Sequence, residues 1–140
     1  MKVNFKGVKK VQAKNKARVK DFSKDVIRAT TRSALVVESY AKEQINRGTA
    51  SGNPRGDGSF ASAPGQFPKT DQGILVANIS SQVKVEGSSV IGMIISSAEY
   101  SQHLEFGTRK MAARPFMQPS LDRNAEKIRS IFVKEGLIDK

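Results

Sequence analysis

The sequence contains no cysteine. That excludes a disulfide, a thiolate nucleophile and a cysteine-ligated metal, and it suits a reducing compartment. Histidine occurs once, as His103, whereas a metal centre usually takes three or four ligands. No stretch approaches the ~18 consecutive apolar residues of a membrane-spanning helix. No apolar segment follows the basic N-terminus, so no signal peptide is expected and the chain should be soluble and cytoplasmic when made. Neither a Gly-x-Ser-x-Gly elbow nor a phosphate-binding loop with its lysine is present. Acidic residues are the minority, 13 Asp and Glu against 24 Lys and Arg.

The 140 residues, 38% apolar and 26% charged, suffice for one globular domain with one modest core. The net charge of +11 is unevenly placed. Residues 1–32 carry eleven Lys and Arg against Asp21 and Asp25, a balance of +9, and residues 33–140 hold only +2. A basic first quarter on a nearly neutral body implies an acidic or polyanionic partner. After a basic arm (1–16), residues 17–47 place Val19, Phe22, Val26, Ala29, Ala34, Val37, Ala41 and Ile45 at helical spacing, with Gly48 as a stop. Lys20, Lys24, Arg28 and Arg32 follow at i+4 steps, and Lys6, Lys10, Lys14 and Arg18 form a second such row upstream. Like charges so spaced cost an isolated helix ~0.2–0.5 kcal/mol per pair, which a polyanion at Lys20, Lys24, Arg28 and Arg32 would relieve.

Residues 48–72 are rich in glycine, proline and serine and show no periodicity, so they predict an unusually long loop. Its large apolar side chains are Phe60 and Phe67. Ordering each backbone residue costs ~1–2 kcal/mol, so the loop is expected to be mobile alone and to order by packing both rings on a neighbouring protein. Arg55-Gly56-Asp57 resembles a cell-adhesion tripeptide, a match too short to carry a function. In the segment 73–140, Ile79, Val83 and Val85 alternate with Ser80, Gln82 and Lys84 and predict a strand. Glu86, Gly87 and Ser88 then turn the chain into "SVIGMIIS", which has Val90 and Ile94 on one face and Ile91, Met93 and Ile95 on the other. A strand apolar on both faces needs cover on both, so a neighbouring subunit is a candidate for one of them. Gly92 marks a bulge or a close backbone approach. Residues 98–106 predict a short helix ended by Gly107. Pro119 opens a last helix whose Leu121, Ala125, Ile128 and Phe132 form a core stripe, with Gly136 as its stop. The expected fold is α+β, a long N-terminal and a C-terminal helix packed on a small antiparallel sheet.

Glu99, His103 and Glu105 are the best catalytic or metal candidates, and they are too few for either. The expectation is a non-enzyme with no cofactor and no metal. A DNA-binding accessory role for the basic helix is the alternative. Only Phe5 and Phe22 accompany that helix for base stacking, and no recognition motif is visible.

Three blocks in fixed order carry a resemblance. "SAPGQFPKTDQGIL" (Ser62–Leu75), "AEYSQHLEFGT" (Ala98–Thr108) and "ARPFMQPSL" (Ala113–Leu121) are similar to the S-x-P-G-x-x-P-x-x-x-x-G-x-L, Y-x-x-x-x-E-x-G-T and A-R-P-F-[ML]-x-P-[AS]-[LI] segments of one family. It comprises the small neck, tail-completion or head–tail joining proteins of long-tailed bacteriophages and prophages. The resemblance implies a virion component without enzymatic activity, made in the host cytoplasm and set in a homo-oligomeric ring, for which a hexamer is a candidate size. Its implied partners are head-connector and tail-tube or tail-terminator proteins; the basic helix itself adds a non-specific DNA contact, and the lack of a long apolar run predicts no membrane. It also implies an assembly interface at Glu105, Phe106, Gly107, Thr108, Arg114, Pro115 and Phe116, joined by Phe60 and Phe67 of the loop. Arg114 can pair with a carboxylate in bidentate fashion, and Glu105 is one candidate partner.

Overall fold

The computed structural model describes residues 8–139, with the side chains of the first helix from Gln12 onward. Phe5 and Lys6 of the expected basic arm lie outside the described residues, as does the side chain of Lys10. The first helix, α1 (Val8–Asn46), begins well before residue 17, since no glycine or proline interrupts it up to Gly48. At 1.5 Å per residue it is about 58 Å long. Among its described side chains, those of the C-terminal half pack. There the stripe Ala29, Thr30, Ser33, Ala34, Val37, Ala41 and Ile45 is buried. Most of these side chains are small, which lets other elements approach the helix axis.

A single turn of helix, α2 (Ile74–Ala77), leads into a two-stranded antiparallel hairpin, β1 (Ile79–Glu86) and β2 (Ser89–Ser96). The register pairs Glu86 with Ser89. The turn is therefore the two residues Gly87 and Ser88, with Gly87 at φ +58°, one residue tighter than expected. A two-stranded sheet is marginal alone, and α1 supplies its support. Gly92 of β2 lies against α1, where an added Cβ would sit 3.0 Å from the Thr30 methyl. It is a close approach, not a bulge, because pairing runs unbroken through Val83 and Gly92. Glu38 of α1 accepts hydrogen bonds from Ser81 Oγ of β1 at 2.6 Å and from Lys42 Nζ at 2.7 Å. The Lys42 bond first, then that from Ser81, holds the Glu38 carboxyl below the usual carboxylate range. The face of the hairpin away from Gly92 carries Ile91, Met93 and Ile95 opposite Lys84, Gln82 and Ser80, and Ile91 is 39% exposed.

The short helix α3 spans Ser101–Phe106, and the chain ends in two helices, α4 (Met117–Arg123) and α5 (Ala125–Lys134). This corrects the expected single last helix. The break falls at Asn124, which is buried and donates from its Nδ2 to Ser120 O at 2.8 Å. The break also changes the expected stripe. Leu121 is 48% exposed, Ala125 is exposed, and Ile128 and Phe132 are half-buried. These three large side chains border an open apolar cleft of about 220 Å³ against α1 and β2. The tight core lies elsewhere, where Ile45, Leu75, Ile79, Ala98 and Phe116 meet. Full burial of Ile45, Ile79 and Phe116 contributes on the order of 1.5–3 kcal/mol each.

Candidate assembly site

The blocks Ser62–Leu75, Ala98–Thr108 and Ala113–Leu121 converge on one side of that core. Helix α4 has no side-chain cap of its own, and the opening amides of any helix lack intrahelical partners. Glu105, at the end of α3, supplies them. Its Oε2 accepts from the backbone N–H of Phe116 at 2.8 Å and Met117 at 2.9 Å, and its Oε1 from Gln118 at 3.0 Å. A carboxylate is suited to this place because the helix dipole puts partial positive charge at those amides.

The chain must reverse between Glu105 and Phe116 for this to happen, and Gly107 begins the reversal. Its φ of +75° with ψ of −179° belongs to a region open essentially to glycine alone. An added Cβ would stand 2.9 Å from both Ala113 N and Met111 O. Thr108 closes the turn by pairing with Met111 through both backbone groups, while its Oγ1 accepts from the Lys110 and Met111 amides. The returning strand is then fixed at Arg114, whose backbone N–H donates to Leu104 O at 2.7 Å. Arg114 Nε reaches the first block, donating to Ser62 O at 2.8 Å, and Gly65 N donates to Ala113 O at 2.8 Å. The Arg114 side chain also borders a cleft of about 350 Å³ shared with Arg55, Tyr100 and Leu104.

Several expected roles change with this geometry. Arg114 does not pair with Glu105, because backbone amides occupy that carboxylate. Phe116 is fully buried, an anchor of the last helix as its place just before Pro119 predicts, so its side chain belongs to no free surface. Phe67 packs on its own chain, edge-on to Tyr40 with ring centroids 6.3 Å apart and 5.5 Å beneath the Arg123 guanidinium. Pro115 is half-buried. Phe106 and Phe60 face outward, 83% and 48% exposed. The loop itself is tied down locally. Gly52 N donates to Ala61 O at 2.8 Å, and Gln66 Oε1 accepts from Ser51 Oγ at 2.7 Å. Arg55 lies 3.5 Å from the Asp71 carboxylate, and Asp57 accepts from Ser59, so the adhesion-like tripeptide is engaged internally.

The basic stripe divides in two. Arg28 donates to Glu135 from Nη2 at 2.5 Å and from Nε at 3.1 Å, and to Asp25 at 2.7 Å; Arg32 also pairs with Glu135. The Glu135 side chain is only 11% exposed. Its hydrogen bond from Arg28 holds its carboxyl below the usual range, and the same bond raises Arg28. These two arginines therefore dock the end of α5 on α1, a role that their spacing did not indicate. Lys24 is 3.7 Å from Asp21, and Lys20 has no acidic partner among the described residues. Sequence spacing offered no sign of Glu135 in this role, since it stands 107 residues from Arg28 along the chain.

Glu99 and His103 are exposed, and Glu105 is turned from them toward α4. No group of three or more His, Cys, Asp or Glu side chains is placed to hold a metal among the described residues. Comparison of the chain with protein-family models, with curated proteins and with solved structures gives no match.

Proposed function

We propose that this chain is a structural subunit of the neck or tail end of a long-tailed bacteriophage, completing the tail and joining it to the head connector within an oligomeric ring. One observation carries the reading. The three blocks that resemble that family, although separated in sequence, are joined by direct bonds among their named residues: Glu105 to Phe116, Met117 and Gln118, and Arg114 to Ser62 and Leu104. A motif whose members hold one another in place serves a fixed shape, which is what a ring subunit requires. The same unit presents Phe106 almost bare to solvent. A phenylalanine so exposed at the end of a rigid helix is suited to a protein contact.

The test is the assembly state of the full chain, followed by light scattering after size-exclusion chromatography and by negative-stain microscopy. Closed rings are expected, and Phe106→Asp should return them to folded monomers. A chain that stays monomeric at its highest soluble concentration, alone and with connector or tail-tube proteins, would refute the proposal.

A further inference from the structure

The N-terminal half of α1 stands clear of the body. Every residue from Gln12 to Lys24 is exposed, and the ion pairs that tie α1 to α5 begin only at Arg28. From Val8 to Asp25 the helix therefore projects by about 27 Å at 1.5 Å per residue. From Gln12 onward this overhang carries Lys14, Lys16, Arg18, Lys20 and Lys24 against Asp21 and Asp25. Asp25 is engaged by Arg28 at 2.7 Å, and Asp21 reaches Lys24 only at 3.7 Å. Lys16, Lys20 and Lys24 follow at i+4 steps and make a ridge with about 6 Å of rise between neighbours.

We propose that this overhang is a sequence-independent binding site for the phosphate backbone of duplex DNA. Pairing with Glu135 offsets part of the charge of Arg28 and Arg32 and leaves the lysine ridge as the main contact surface. The apolar side of the overhang argues against an anionic membrane as the partner. Val19 and Phe22 are 66% and 55% exposed, but one heptad earlier the same face holds Gln12 and Asn15. The apolar stripe is therefore broken there while the charge continues, whereas interfacial helices keep a sustained apolar face. The inference goes beyond the proposed ring and does not require it, since the overhang is present in a single subunit.

The experiment titrates the full chain against a short mixed-sequence DNA duplex by fluorescence anisotropy, between about 50 and 200 mM salt. Each phosphate neutralised contributes a slope of about −0.9 in log K against log salt. Replacing Lys16, Lys20 and Lys24 with glutamine should therefore reduce the slope by about 2 to 3. The double variant Arg28→Gln, Arg32→Gln should leave the slope in place. Vesicles rich in phosphatidylserine provide the second arm, in which Phe22→Ser should make no difference to duplex binding. Absence of duplex binding at low salt, or a slope unchanged by the triple variant, overturns the proposal. So does vesicle binding that needs Phe22 in a chain that ignores DNA. Circular dichroism confirms that each variant folds, so loss of binding reports the site.

Discussion

Removing the Glu105 carboxylate isolates the contribution of the three-block junction to stability. In Glu105→Ala the amides of Phe116, Met117 and Gln118 lose their acceptor together. Hydrogen bonds to a charged group contribute ~1.5–3 kcal/mol each when buried, but water can replace part of this, because Gln118 is exposed and Met117 half-buried. Loss of a helix N-cap costs ~0.5–2 kcal/mol. A sum of about 2–3 kcal/mol follows, because the Phe116 amide sits beside a fully buried ring and water reaches it poorly. For a chain of this size that corresponds to a fall in Tm of roughly 6–10 °C. Glu105→Gln keeps one carbonyl acceptor but turns an amide toward backbone donors, so about half of the loss should remain. Chemical denaturation of the wild type and both variants, with Glu99→Ala as an exposed control, measures these differences. If Glu105→Ala melts with the control, the carboxylate does not organise the start of α4, and the three blocks owe their proximity to the apolar core alone.

Phe116→Ala should cost about 3–5 kcal/mol, the range for a large buried ring, whereas Leu121→Ala, at a half-exposed position, should cost less than about 1 kcal/mol. Equal losses in urea titrations would show that the cleft beside Leu121 closes in solution. Glu135 gives a pH test. Its carboxyl is held below its ordinary value of 4.5 by Arg28, so its stabilising effect is complete above that value and is lost as pH falls through the lowered one. The Tm difference between wild type and Glu135→Gln should therefore be widest above pH ~5 and narrow progressively below 4.5. A difference that does not vary with pH would mean that Glu135 packs α5 without acting through its charge.

What the sequence determined by itself is the part of this protein governed by local rules. Helical spacing without glycine or proline made α1, alternation made β1, an apolar run on both faces made β2, and Gly87 made the turn between them. The resemblance located three blocks, yet no local rule says what those blocks do to one another. Glu105 and Arg114 look like an ion pair in a linear reading, because opposite charges are the simplest match. The fold decides otherwise, since the opening amides of α4 need a carboxylate, whereas the Arg114 guanidinium donates to Ser62 O instead. Gly107 makes this possible by a backbone reversal that a side chain would obstruct. The same reason separates the basic row. Lys20, Lys24, Arg28 and Arg32 are equivalent in spacing, and only the docking of α5 places Glu135 against two of them while the rest project into solvent. Leu121 was misassigned because a stripe in sequence presumes an unbroken helix, and buried Asn124 breaks it. Periodicity therefore defines each face, while the length of helix that finds a neighbour, and the identity of that neighbour, depend on contacts between residues far apart in the chain.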